Sequence, residues 1–273
     1  MRKLAGLALA LVLMAGACGD DKSPAQAALA DAEQGLGRIE SGDLTMQLLA
    51  SSVAGSGGVG FRIEGPFRVG KDEGDLPAAD LEYTRITGDS KEASGFISTG
   101  EQAFVELDGE FQQLDDAQLD ELRVTDDAEG GGLEGLSLED WVKAPKVSTG
   151  PRVDGAATRR IRGTVDAVPA INDLLELAGG FGATDDSAPG RLEGDGADAV
   201  RRAVRSANVD LLVGAENNLL RQLDLVIELS VRDAAVRRAL KGPAGARLSL
   251  ELDVDKVNRP VTVEVPAGAR RSS

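Results

Sequence analysis

Apolar and polar residues alternate with a period of two along much of this chain. The alternation is clear at Leu44, Met46 and Leu48, and again from Phe61 to Val69. It recurs in residues 81–83, 93–98, 103–107, 110–114, 157–165, 209–213, 223–231, 248–254 and 261–265. Because successive side chains of a strand point to opposite faces, the pattern predicts antiparallel strands with one apolar and one solvated face. We expect about ten to eleven strands.

Six segments show helical rather than strand-like spacing. They are residues 26–39, 115–122, 137–142, 166–179, 196–206 and 233–240. The fourth follows a capping Asp166 and carries an apolar stripe that includes Val168, Ile171, Leu174 and Leu175. An apolar sheet face needs a cover, so we expect helices to pack on it and to enclose an apolar cavity.

The candidate ligand-binding residues are those expected to line this cavity. They come from the inward positions of the early strands, from the only tryptophan and from the helical stripe: Leu44, Met46, Leu48, Phe61, Ile63, Leu81, Tyr83, Trp141, Ile171, Leu174 and Leu175. The stripe also fits an ordinary hydrophobic core, and both interpretations stay open.

The first 17 residues have the features of a secretory signal. Arg2 and Lys3 precede an apolar stretch that is too short to span a bilayer, and Ala15-Gly16-Ala17 leads into Cys18. This end resembles a bacterial lipobox, which implies cleavage before Cys18 and lipid attachment to that cysteine. The alternatives are a secreted protein with a free cysteine and an uncleaved membrane helix. We expect a signal at residues 1–17, a tether at 18–25, one domain at 26–267 and a disordered tail at 268–273.

Charge and residue types exclude several functions. The chain has a net charge of −16, contains no histidine and has Cys18 as its only cysteine. An acidic chain is poorly suited to nucleic acid and is repelled by anionic headgroups. Without histidine or a second thiol, neither the usual hydrolytic triads nor the usual zinc sites can form. Hydrolysis by a pair of carboxylates stays open on residue types alone, but the sequence singles out no such pair. We expect no enzyme activity and no cofactor.

Two local features have competing interpretations. Gly55-Ser56-Gly57-Gly58-Val59-Gly60 matches a dinucleotide-binding pattern, but a strand follows it where that site requires a helix. Arginines cluster at 159–162 and 201–205, where they fit either lipid phosphates or ordinary ion pairs.

Several segments together resemble the actinobacterial lipoproteins of the LppX/LprG kind, which share an unclosed β-barrel with the carrier LolA. The resemblance rests on Ser41-Gly42-Asp43-Leu44, on residues 61–66, on residues 102–111 and on residues 258–266. It implies an α+β, mainly β, LolA-like fold: a curved antiparallel sheet with helices on its concave face. It implies no catalytic residues.

The function expected on these grounds is that of a lipoprotein anchored at the extracytoplasmic face of the cell membrane. It would bind an acyl chain or lipid in the half-barrel and carry it in the cell envelope. The alternative is a structural or scaffold lipoprotein that docks an envelope protein and holds no lipid ligand.

Overall fold

The structure, a computed structural model, describes residues 22–52, 57–70, 75–120, 133–180, 190–230 and 245–270. Its strands are β1 Ser41–Ser52, β2 Gly58–Arg68, β3 Ala78–Gly88, β4 Ser90–Thr99, β5 Ala103–Leu107, β6 Glu110–Gln113, β7 Val142–Thr149, β8 Thr158–Val165, β9 Val204–Gly214, β10 Leu220–Ser230 and β11 Gly245–Asp255. The helices are α1 Pro24–Leu36, α2 at residues 116–120, α3 Leu138–Trp141, α4 Ala167–Gly180 and α5 Gly194–Ala203.

The eleven strands form one antiparallel sheet in the order β6-β5-β4-β3-β2-β1-β11-β10-β9-β8-β7. The first and last strands pair at its centre, where Met46 lies opposite Leu252. The sheet does not close, because β6 and β7 are its two edges. An unclosed, mainly β half-barrel with a few helices is therefore confirmed, and so is the expected number of strands.

One face of the sheet, here called the inner face, carries Leu44, Met46 and Leu48 and buries them in the main core. This core also contains Leu29 of α1 and Leu174 of α4, so the helices cover the inner face. The opposite, outer face carries polar residues such as Thr45 and Gln47. The alternation read from the sequence thus sets which face the helices cover.

The first helix is fixed by local chemistry and by a close backbone contact. Ser23 and Gln26 form a capping box, with Gln26 donating its backbone N–H to Ser23 Oγ at 3.2 Å. Near the other end, a Cβ on Gly35 would lie 2.3 Å from the Asn218 carbonyl oxygen. Glycine is therefore required where α1 crosses the turn between β9 and β10.

A second polar contact places α5 beside α4. The buried Asn172 side chain accepts the backbone N–H of Leu192 at 2.7 Å and donates to the Leu192 carbonyl at 3.3 Å. This pair of bonds joins α4 to the segment that leads into α5, which packs against α4 and β10.

Several predicted bounds of helices and strands were wrong. Val142 begins β7 instead of ending a helix, and that strand had no counterpart among the predicted ones. Residues 204–206 belong to β9 rather than to a helix, and residues 261–265 form no strand. The helix α1 begins at Pro24, inside the range expected for the tether, and Arg270 pairs with β6 within the expected tail. The predicted helix at 233–240 lies outside the described residues.

Candidate functional site

The early strands bring their candidate side chains into direct register on the inner face. Met46 lies opposite Ile63, and Ile63 lies opposite Tyr83 on the next strand. One pair further along, Leu48 lies opposite Phe61. Since cross-strand partners on one face are in contact range, these residues form a continuous apolar surface.

Burial falls from the centre of this surface toward β3. Met46 is fully buried and Phe61 is 1% exposed, whereas Leu81 and Tyr83 are half-buried at the margin of the main core. The rings of Phe61 and Tyr83 stack with centroids 5.9 Å apart and planes inclined by 19°. The inner face therefore passes from closed core to partly open apolar surface across two strands.

The helical candidates lie mainly in the closed part. Trp141 is fully buried, and its indole Nε1 donates to Asp173 Oδ2 at 2.9 Å. Leu174 is 2% exposed, while Ile171 and Leu175 are half-buried. A ligand would reach the two fully packed side chains only if the helices moved.

A second, smaller core lies further along the same face. It consists of Leu76, Ala103 and Leu119, with Phe96 and Leu114 packed against it. Phe96 lies directly opposite Leu81, which packs against the main core. Sequence reasoning placed residues 93–98 in a strand but did not select Phe96. Phe96 could have been selected from the sequence, because it is the large apolar residue at an inward position of that strand.

Between these two cores, the row of inward side chains contains a glycine. Gly65 lies opposite Leu44 in the sheet, and its φ of +140° favours glycine. A Cβ there would lie 2.0 Å from the Asp80 carbonyl oxygen, so a larger residue does not fit. The apolar surface therefore has no side chain at this position.

Two cavities lie elsewhere on the described part of the chain. One, of about 540 Å³, is lined by residues of β7 to β10 that include Lys146, Arg162 and Asp210. The other, of about 230 Å³, lies between the start of α1 and β7. None of the candidate ligand-binding residues lines either cavity. By their burial, the candidates of the strands form packed core and partly open surface.

The outer face carries an ionic cluster on β8, β9 and β10. Arg160 Nε donates to Asp210 Oδ1 at 2.7 Å, and Arg162 Nε donates to Asp210 Oδ2 at 2.8 Å. Burial alone would raise the pKa of Asp210, but the hydrogen bonds from the two arginines outweigh it and lower that pKa. Two arginines of the 159–162 cluster thus form ordinary ion pairs.

Neighbouring carboxyl groups shift the other way. Asp224 lies opposite Asp210, and burial together with the charges of Asp210 and Glu251 raises its pKa. Burial and the charges of Asp224 and Asp255 likewise raise the pKa of Asp253. This part of the outer face therefore carries a group of closely spaced charged side chains, unlike the apolar inner face.

Cys18 lies outside the described residues, as does the expected signal at 1–17. Within the described ranges, none of the helices combines the length and apolar character needed to cross a bilayer. The same ranges contain no grouping of acidic, cysteine or histidine side chains that would hold a metal ion.

Comparison with known proteins gives matches only among solved structures. No family model matches the chain, and no curated protein does. The chain is similar to LprF from Mycobacterium bovis, with 16% identity, coverage of 90% of this chain and 99% of the other, and a TM-score of 0.47. It is similar to the lipoprotein LppX from Mycobacterium tuberculosis, with 15% identity, 87% and 98% coverage, and a TM-score of 0.40.

A LolA-superfamily protein from Nitrosomonas europaea is also similar, with 10% identity, 88% and 96% coverage, and a TM-score of 0.23. These structures include an LppX and a LolA-superfamily protein, the groups named by the sequence resemblance. The strand order and the helical cover described above are the chain's own evidence for the half-barrel.

Proposed function

We propose that this protein is a lipid-anchored envelope lipoprotein that binds an acyl chain or lipid on the inner face of its half-barrel and carries it in the cell envelope. One observation carries the proposal: Leu81 and Phe96 are cross-strand partners, both are half-buried, and each packs against a different core. An apolar strip joins the two cores and remains partly accessible.

An acyl chain suits this strip because it needs no specific polar partner. Burying each methylene group contributes about 0.8 kcal/mol, so a long chain gains affinity from length alone. The half-buried Tyr83 and the stacked ring of Phe61 extend the strip toward the centre of the sheet. A chain lying between the cores would cover the side chains that the helices leave partly open.

In this arrangement the fully buried candidates do not contact the ligand. Met46, Trp141 and Leu174 are at most 2% exposed, so they form the wall behind the strip. In this arrangement they set the shape of the binding surface, and the ligand contacts Leu81, Tyr83 and Phe96.

The lipobox-like sequence before Cys18 supports the proposed lipid attachment to that cysteine. A lipidated Cys18 would lie four residues before Lys22, where the described chain begins, so the half-barrel would be held close to its membrane. Two or more acyl chains on that cysteine give stable attachment, which one chain does not. A tethered half-barrel is then within reach of the lipids that it carries.

Titration with an environment-sensitive fluorescent fatty acid tests the binding surface. The unlipidated chain from residue 18, with Cys18→Ser, is compared with Leu81→Asp, Phe96→Asp and the control Val147→Asp on the edge strand. Val147 is 40% exposed, so the control adds the same charge to an apolar side chain outside the strip. We expect at least about tenfold weaker binding for the two strip variants, since each places a charge against the acyl chain.

The control should bind as the parent does. Equal affinities of all four proteins, with circular dichroism showing that all are folded, would contradict binding on this strip.

One observation favours the second candidate, a scaffold lipoprotein without a lipid ligand. Neither the cavity of about 540 Å³ nor that of about 230 Å³ is lined by a candidate residue, and Met46, Phe61 and Trp141 are fully packed. A half-barrel filled by its own helices would present its surface to a protein instead. No saturable binding of the fatty acid by the parent protein would favour this candidate.

A further inference from the structure

The edge of the sheet formed by β7 and β8 has a charge opposite to that of the whole chain. Residues 142–162 contain six basic residues and one acidic residue, whereas the chain has a net charge of −16. The strand β7 is unpaired on one side because it is the edge of the sheet. A basic strip is therefore exposed along an edge of an acidic protein.

Not all of these charges are free to bind a partner. Arg160 and Arg162 are paired with Asp210, and Arg159 donates to the side-chain oxygen of Asn218. Lys143 and Lys146 are exposed on β7, and among the described residues no carboxylate lies within ion-pairing distance of either. Lys143 Nζ donates to the Asp140 carbonyl at 2.9 Å, which leaves its charge unneutralised.

The start of the described chain lies against this same edge. The helix α1 packs on β7, and Lys22 Nζ lies 2.6 Å from Glu139 Oε1 just before that strand begins. Lys22, Lys143 and Pro145 line one cavity of about 230 Å³, so the chain enters the domain beside the basic strip. An extended tether from Cys18 to Lys22 spans at most about 14 Å.

We propose that the β7 edge faces the membrane and binds anionic phospholipid headgroups through Lys143 and Lys146. The proposal rests on the Cys18 anchor of the proposed function, which holds this edge within reach of the bilayer. Three carboxylates share a cavity with these lysines: Glu139 is paired with Lys22, Asp210 is paired with two arginines, and Asp224 accepts a hydrogen bond from Gln222. Acidic groups more than about 10 Å away are screened at moderate salt. The edge strand then orients the half-barrel on the bilayer surface.

The single cysteine allows this orientation to be tested without natural lipidation. The chain from residue 18 is coupled through Cys18 to a maleimide lipid in vesicles of phosphatidylcholine, with or without phosphatidylglycerol. Lysines are then acetylated briefly, and the rate at each is measured by mass spectrometry. Lys91 on β4 is the internal control, since it is exposed and lies in the opposite half of the sheet from the β7 edge.

On vesicles with phosphatidylglycerol we expect acetylation of Lys143 and Lys146 to slow at least about threefold, and acetylation of Lys91 to change little. High salt should remove the protection, and Lys146→Glu should reduce it at Lys143, whereas Lys91→Glu should not. Equal rates on both kinds of vesicle, or equal protection of Lys143, Lys146 and Lys91, would overturn the proposal.

This outcome is separable from that of the proposed function. The coupling is chemical, so the result does not depend on whether the cell lipidates Cys18, and acetylation does not report on ligand in the half-barrel. If the β7 edge were protected but the protein bound no fatty acid, the membrane-facing surface would be supported and the carrier function would be contradicted.

Discussion

Leu81 of β3 lies directly opposite Phe96 of β4, and yet the two side chains pack against different hydrophobic cores. Leu81 borders the core that the helices build on the centre of the sheet. Phe96 borders the small core around Leu76, Ala103 and Leu119. The two half-buried side chains therefore mark the partly open part of the inner face, to which we assign the ligand.

Asn258 joins the end of β11 to the start of β1, and its replacement should destabilise the fold. Its side chain accepts the Glu40 N–H at 2.8 Å and donates to the Arg38 carbonyl at 3.0 Å, at a φ of +57°. We expect Asn258→Ala to lower the free energy of unfolding by about 1–2 kcal/mol in urea titrations, because the exposed hydrogen bonds are lost.

The variant Asn258→Gly separates the contribution of the side-chain hydrogen bonds from that of the backbone conformation. Glycine loses the same hydrogen bonds but tolerates a positive φ, so it should cost about 1 kcal/mol less than alanine. Equal losses for the two variants would show that the backbone conformation contributes nothing.

Asp210 and Asp224 are neighbours whose substitution should have opposite effects at neutral pH. Despite burial, the hydrogen bonds from Arg160 and Arg162 lower the pKa of Asp210, so its charged form stabilises the folded state above the carboxyl's ordinary pKa. That stability is lost as pH falls through the folded-state pKa. Asp210→Asn should therefore destabilise the protein at neutral pH, and this loss should shrink in acid.

Burial and like charges raise the pKa of Asp224, so its charged form destabilises the folded state at neutral pH. Asp224→Asn should raise the free energy of unfolding there. The gain should vanish below the carboxyl's ordinary pKa, where both folded and unfolded states are protonated. Urea unfolding across the acid range measures both variants, and a shared sign at neutral pH would contradict the assignment.

Arg221 is buried to 8% exposure, and its Nε has no hydrogen-bond partner among the described residues. Burial lowers its pKa, although Asp154 and Asp255 oppose the shift. Because a buried charge with incomplete partners stabilises little, Arg221→Met should leave stability unchanged or raise it by up to about 2 kcal/mol. The exposed Arg205→Met serves as the control in thermal unfolding, and a clear loss for Arg221→Met alone would contradict the expectation.

Trp141 holds α3 to α4 through Asp173, which also accepts the Ser137 N–H at 2.9 Å. Trp141→Phe removes the indole donor and part of the buried ring, so we expect a loss of about 1–3 kcal/mol. Asp173→Asn keeps an acceptor and should cost less. Far-UV circular dichroism in urea measures both, because the protein loses its only tryptophan in the first variant.

The central strands were predictable because their alternation is strict. From Leu223 to Leu229 of β10 and from Leu248 to Val254 of β11, every second residue is a large aliphatic side chain, and the structure buries all of them except the half-buried Leu248. The strand β7 escaped prediction because Lys143, Pro145 and Lys146 break the pattern. Charges and proline are common on edge strands, which need only one ladder of hydrogen bonds.

The predicted strand at 261–265 failed for a topological reason. Both sides of β11 are already occupied, by β1 and β10, so the chain that follows has no free edge beside it. Beyond Arg259, whose carbonyl accepts the Ser41 hydroxyl of β1, it next bonds to the sheet at Arg270, which pairs with Phe111 and Gln113 of β6. An alternating valine pattern indicates strand propensity but does not reveal whether a partner is available.

The candidate site was predictable in part for a related reason. Alternation identifies the inward side chains, as it did for Met46, Phe61 and Tyr83, but it does not say which of them the helices cover. That depends on contacts between distant segments, such as Gly35 of α1 against Asn218. The partly open pair of Leu81 and Phe96 emerges only when both cores are in place.

Quantitative lipid analysis of the unlipidated protein tests the central claim most directly. The chain from residue 18 with Cys18→Ser is incubated with phospholipid and fatty acid, separated from them, extracted and analysed by mass spectrometry. We predict about one acyl lipid per protein, a loss of that lipid in the Leu81→Asp/Phe96→Asp double variant, and retention in Val147→Asp. Ligand-free protein in every sample, with the folded state verified, would contradict lipid binding by the half-barrel.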